Sequence, residues 1–105
     1  MPLNTSKRVL CIGDVMLDVV VKLQGAINYG EDTPSKITTH GGGAAGNVAS
    51  WIARAGTGAS IVARVGNDSA GAALISEFHD LKVDHSSLKK TSDATGVVVL
   101  SLIHI

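Results

Sequence analysis

Hydrophobic and polar positions in this chain follow two different periods, and the changes between them mark out its elements. Arg8 to Ile12 is a short apolar run with the pattern of a buried first strand. Gly13-Asp14 interrupts it, and Met16 to Leu23 resumes with Val19, Val20 and Val21 in succession, a strong β signal. Gln24 to Ser35 is polar, contains Gly25, Gly30 and Pro34, and reads as a loop. Lys36 to His40, with its threonines, predicts a short strand exposed on one face. From Val48 the period becomes helical: Val48, Ile52 and Ala55 share a face, Trp51 lies beside them, and Gly56 stands where a C-terminal cap glycine belongs. Thr57-Gly58 is a turn, and Ala59 to Val65 predicts a second buried strand. Asp68 is placed to N-cap a second helix, in which Leu74, Phe78 and Leu81 recur at helical spacing. Val83 to Leu88 reads as a short extended piece or turn, and Lys89 to Ala94 as a polar connection. Thr95-Gly96 opens a last apolar run, Val97 to Ile105.

The predicted order is β, β, loop, β, α, β, α, β, which argues for an α/β fold with a largely parallel sheet. No internal repeat is visible. The last run has strong β propensity and ends without turn, cap or charge. Since an unpaired apolar edge invites aggregation, the expectation is a chain that stops in the middle of a fold.

Composition narrows the function classes. Nine basic and nine acidic side chains cancel, and no basic stripe suggests a nucleic-acid partner. No apolar stretch is long enough to span a bilayer, and Met1 to Arg8 lacks the apolar core of a signal peptide. Cys11, the single cysteine, cannot form an internal disulfide, so a cytoplasmic protein is expected. His40, His79, His85 and His104 show no metal-ligand spacing, and neither a metal site nor a catalytic residue is assigned.

Chemistry concentrates at His40-Gly41-Gly42-Gly43-Ala44-Ala45-Gly46-Asn47. Such a glycine cluster marks a backbone that bends sharply or closely approaches something else. It leads into a helix N-terminus, whose free N–H groups suit an anionic or hydroxyl-rich ligand. Gly41, Gly43 and Gly46 match the G-x-G-x-x-G spacing of a dinucleotide site, but the strand feeding them is short and polar, and Asp68 lies in a turn. Two carboxylates add to the picture: Asp14 at the turn after the first strand, and Asp18 between Leu17 and Val19, an apolar setting that asks for a partner.

A second pattern covers more of the chain. Gly42-Gly43-Ala44-Ala45, Asn47, Ala49, Gly56 and Gly66 resemble, in identity and spacing, the N-terminal signature of the ribokinase-like (PfkB-type) carbohydrate kinases. Gly13-Asp14-Val15-Met16-Leu17-Asp18 is similar to that family's first-strand motif, Val65-Gly66-Asn67-Asp68-Ser69-Ala70-Gly71 to its V-G-x-D-x-x-G turn, and Thr95-Gly96-Val97-Val98 to the segment leading into a lid strand. The resemblance implies the N-terminal part of a three-layer α/β/α fold with a small β lid, built here from roughly 15–21, 36–40 and 96–103. It further implies a sugar or nucleoside held between lid and body. Asp18 would accept hydroxyl hydrogen bonds, the backbone at Gly42 and Gly43 would approach the sugar, Asn47 would offer its amide, and Asp14 would add a contact. The intact family transfers the γ-phosphate of ATP, with Mg²⁺, to a sugar hydroxyl.

The departures shape the expectation. The family's catalytic base lies in a C-terminal G-A-G-D-type motif, and no such motif occurs in these 105 residues. No P-loop replaces the C-terminal nucleotide site either. Lys82 stands where a helix-ending glycine is usual, and Met16 is apolar where some relatives carry a polar contact, which disfavours ribose. The sequence therefore predicts the sugar-binding half of a kinase, 1–105 being a truncated N-terminal portion that binds ATP and Mg²⁺ poorly and is inactive alone. Two alternatives stand beside it: a non-catalytic sugar-binding fragment, or one dimerising through the lid strands, and a dinucleotide-binding domain using Gly41, Gly43 and Gly46.

Overall fold

Residues 7–102 are described by a computed structural model of the chain. The predicted run at Val97 to Ile105 is seen as far as Leu102; Ile103, His104 and Ile105, like Met1 to Ser6, lie outside the described residues. Six strands and two helices occur in the order β1 (Arg8–Ile12), β2 (Met16–Leu23), β3 (Ser35–Gly42), α1 (Ala44–Arg54), β4 (Gly58–Gly66), α2 (Ser69–Asp80), β5 (Leu88–Thr91) and β6 (Val97–Leu102).

The strands form two sheets. One is all parallel, in the order β1-β4-β5, and is joined through α1 and α2 as a parallel sheet requires. The other has β2 at its centre, antiparallel to β3 and parallel to β6. The α/β reading holds, with parallel strand pairs in β1-β4-β5 and between β2 and β6, and one further parallel bridge from Ser60 to Asp84.

Both helices join one core with Cys11, Ala59, Ile61, Val65, Val83 and Leu88. Helix α1 packs against β1 and β4 with small buried residues, Ala45, Gly46 and Ala49, Gly46 facing Val15 and Phe78, while α2 contributes Leu74 and Phe78. Truncating a fully buried side chain such as Leu74 to Ala costs about 2–5 kcal/mol. The other face of the parallel sheet is open among the described residues, so β1 is less buried than its apolar run predicts. Only Cys11 is enclosed, and Ile12 is 70% exposed. Among the described residues no helix is long and apolar enough to cross a membrane.

Three local expectations need correction. Helix α1 starts at Ala44 rather than Val48, because the glycine stretch supplies its first turn. Its inner face is accordingly Ala45, Gly46 and Ala49, with Ile52 partly buried. Val48 and Ala55 are exposed, and Trp51 is 68% exposed, with the Arg54 guanidinium 5.3 Å above its ring. Strand β3 runs two residues into the glycines, to Gly42. Strand β5 occupies part of the stretch expected to be a polar connection: Leu88 is buried while Lys89 and Lys90 face solvent, so one apolar residue anchors it beside β4.

Both helices end alike. In α1, Gly56 N–H donates to the Ala53 carbonyl and Thr57 N–H to that of Ile52. In α2, Lys82 N–H donates to His79 and Val83 N–H to Phe78, with Val83 and Phe78 both buried. The left-handed position is Gly56 at φ +88 in α1, but Lys82 at φ +60 in α2.

The two sheets are tied together at the ends of α2. Asp68 N-caps the helix, its Oδ1 accepting from Gly71 N–H at 2.8 Å. The same carboxylate takes Thr95, just before β6: the hydroxyl donates to Oδ1 at 2.6 Å and the backbone N–H to Oδ2 at 2.9 Å. Near the other end of α2, Glu77 Oε2 accepts from Gly41 N–H of β3 at 2.8 Å.

Candidate functional site

The five residues assigned from sequence lie around the junction of β2, β3 and α1, Asp14 through its backbone. Asp18 lies mid-strand in β2, level with His40 of β3 on one side and Val98 of β6 on the other. Side chains two apart share a face, so Asp18, His40, Val98 and the α-carbons of Met16 and Gly42 belong to one side of this sheet. Gly42 is buried under the Asp18 side chain: a Cβ there would overlap the carboxylate, 2.5 Å from its Cγ. Asp18 itself is half-buried.

Gly43 is the N-cap of α1, at φ +85 and ψ 151, a backbone region all but closed to other residues. Its missing Cβ admits the Asp14 main chain, whose carbonyl oxygen would lie 2.5 Å from that atom and which also accepts from Gly46 N–H at 3.3 Å. Asp14 thus joins the site through its backbone, while its residue as a whole is exposed. Asn47 lies in the first turn of α1, its N–H donating to the Gly43 carbonyl at 2.9 Å and its residue exposed to solvent. No side chain caps this helix.

The result is a shallow cradle with a carboxylate on one wall, a helix N-terminus on the other and side-chain-free backbone between them. Beyond Asp14 a cleft of about 470 Å³ continues along the open face of the parallel sheet, past Val62, Arg64 and Lys89. Two neighbours were not singled out from sequence. His40 was set aside as a loop or surface histidine, and the register with Asp18 could not be read without knowing that β3 extends to Gly42. Glu77 caps Gly41 N–H from α2, a pairing across 36 residues that carries no local signal. Among the described residues no group of three His, Cys, Asp or Glu side chains is close enough to hold a metal ion.

This junction of a glycine-rich strand end, an N-terminal helix and a β2 carboxylate lies wholly inside a stretch with a family match. The model of the pfkB family carbohydrate kinases matches residues 6–102. The chain belongs to that family. Among pfkB relatives, a sugar kinase of Pyrococcus horikoshii is 32% identical over 92 residues, 87% of this chain and 28% of that protein. The crystal structure of a fructokinase from Xylella fastidiosa with bound ATP superimposes with a TM-score of 0.77 at 29% identity, covering 91% of this chain and 30% of that one. An aminoimidazole riboside kinase from Salmonella enterica, complexed with aminoimidazole riboside and an ATP analogue, gives a TM-score of 0.70 at 26% identity over 89% of this chain and 28% of that one. The chain therefore spans less than a third of the length of these pfkB relatives.

Proposed function

We propose that this chain is the sugar-binding part of an ATP-dependent carbohydrate kinase, with β2, β3 and β6 as a lid over the parallel-sheet body. The observation that carries the reading is the contact between Asp18 and Gly42. With no Cβ at Gly42, the half-buried Asp18 carboxylate lies directly over the β3 backbone just before α1, where the hydroxyls of a ligand would donate to Oδ1 and Oδ2. Hydroxyl pairs on a sugar or nucleoside ribose match this acceptor, and the Asn47 amide and the N-terminal N–H groups of α1 supply donors opposite it. Each residue has a binding or orienting role: Asp18 fixes the hydroxyls, Gly42 and Gly43 give close approach, Asp14 shapes the floor, and Asn47 sets the ligand's rotation.

ATP with Mg²⁺ supplies the transferred phosphate in such an enzyme. The cradle is not built to hold it: Asp18 stands beside Gly42, and Glu77 already occupies Gly41 N–H. Two carboxylates at a glycine loop repel a polyphosphate, which also leaves the dinucleotide reading without support. Phosphoryl transfer depends on positioning and charge stabilisation, so the chain alone is expected to show only background in a coupled ATP assay. A buried Cys11 and the small-molecule role fit a cytoplasmic setting.

Calorimetric titration of the chain with neutral sugars and nucleosides tests the proposal. One of them should bind, and Asp18→Ala should weaken it by roughly tenfold to a hundredfold, the cost of stranding a hydrogen-bond partner. Unchanged affinity in that variant would remove Asp18 from the site.

A dimer through the lid is a second part of the proposal. Val19, Val21, Ile37 and Val99 share the lid face opposite Asp18, and Ile37 and Val99 are 61% and 65% exposed. An apolar sheet face of this kind suits a second copy of itself.

A further inference from the structure

We propose that Asp68 and Thr95 form a latch that sets the position of the lid strands, and with them Asp18, relative to the body. Its mechanical part stands on geometry alone; its consequence for ligand binding rests on the function proposed for Asp18. Capping α2 needs only one acceptor, and Gly71 N–H already uses Oδ1. The carboxylate does more: Oδ2 takes the Thr95 N–H, and Oδ1 also takes the Thr95 hydroxyl. That hydroxyl in turn accepts from Gly66 N–H, at the end of β4, at 2.7 Å. Both the N–H and the hydroxyl of Thr95 are thus committed to the body, and the residue is 7% exposed although Asp93, Ala94 and Gly96 around it face solvent.

The surrounding backbone packs closely around this residue. A Cβ on Gly66 would meet the Asp93 carbonyl oxygen and lie 2.6 Å from Thr95 N and 2.7 Å from Asp68 Oδ2, and one on Gly71 would meet the Gly66 carbonyl oxygen and lie 3.0 Å from Thr95 Oγ1. The glycines of the V-G-x-D-x-x-G turn therefore let the turn fold on itself and the backbone at Asp93 and Thr95 close against it. From Thr95 the link to the site is short. The next residue, Gly96, accepts from Leu17 N–H at 2.9 Å, and Val98 then pairs with Asp18. Asp68 and Thr95 are positioning residues: they touch no part of the cradle, and they act through β6 on β2. The second tie, Glu77 to Gly41 N–H, holds β3 by a single bond.

Hydrogen exchange by mass spectrometry on the 105-residue chain tests the latch without any ligand. Thr95→Val keeps the shape and removes the hydroxyl. Asp68→Asn keeps an Oδ1 acceptor for the cap but turns a donor toward Thr95 N–H. Both should accelerate exchange in peptides covering β6 and β2 by ~10-fold or more, with β1 and the part of β4 ahead of Gly66, whose own N–H donates to the Thr95 hydroxyl, within about threefold of the parent. Thr95→Ser, which restores the hydroxyl, should return β6 to near-parental protection. Equal loss of protection in β1 and that part of β4 would make the cluster a support of the whole fold and overturn the proposal, as would unchanged exchange in β6 or a Thr95→Ser variant that behaves like Thr95→Val. A chain that shows the lid-selective effect but binds no sugar would sink the role of Asp18 and leave the latch standing.

Discussion

Gly43 and Asn47 sit four residues apart and should fail in opposite ways. Gly43 combines φ +85 with a Cβ position 2.5 Å from the Asp14 carbonyl, so Gly43→Ala strains the backbone wherever the side chain turns. A loss of about 1–3 kcal/mol in chemical denaturation is expected. Asn47 is exposed, and Asn47→Ala should leave stability nearly untouched while lowering sugar affinity by ~10-fold, read by titration of the folded variant. Asp68 gives a pH response. The Thr95 hydroxyl first, then the Thr95 and Gly71 N–H groups, hold its carboxyl below the usual carboxylate range. A carboxyl so depressed contributes stability that is complete above its unfolded pKa and is lost as pH falls from about 4 through the lower folded value. Asp84, lowered chiefly by Ser86 N–H, titrates in the same direction, so the parent's thermal midpoint should fall on acidification and Asp68→Asn should remove only part of that fall. At this scale the sequence was partly legible. Asp18, Gly42 and Gly43 stood out because a carboxylate among valines and a run of glycines each violate local preference. The Thr95 contacts did not, since a threonine before a glycine looks like any strand start.

Among the elements, the two helix ends make a controlled comparison. Both use the same pair of carbonyl bonds and both need a left-handed residue, which is free for Gly56 and costly for Lys82. Lys82→Gly should therefore stabilise the chain by up to ~1 kcal/mol in denaturant unfolding. An unchanged or lower midpoint would mean that the lysine side chain recovers its backbone cost. Element types were readable wherever one period dominated, as in α2 and β4. Boundaries were not readable at the glycines. A helix turn can be built from Ala44-Ala45-Gly46 because neighbouring backbone, the Asp14 carbonyl, holds it, and that carbonyl lies far back in the chain, in the connection between β1 and β2. Strand β5 was missed because an edge strand with one buried residue looks, residue by residue, like a polar loop.

Across the whole molecule, the apolar lid face opposite Asp18 should drive self-association. Sedimentation should show a concentration-dependent dimer, and Val99→Lys or Ile37→Lys should shift it toward monomer while leaving the core intact, both side chains being exposed. The division into two sheets was not readable from periodicity, because β2 and β6 come together only through pairings between distant parts of the chain; the grouping of 15–21, 36–40 and 96–103 came from the family resemblance alone. That pairing has a consequence in time. Leu17 aligns with Val97 and Lys22 with Leu102, so β2, made early in synthesis, gains its parallel neighbour only after both helices and the body strands have emerged. Loop-closure entropy makes such distant pairings slow to form. Until then the strand carrying Asp18 has β3 on one edge and solvent on the other, a period open to chaperones and to mispairing. Substitutions in β6 should therefore be felt most in the rate of the last folding phase.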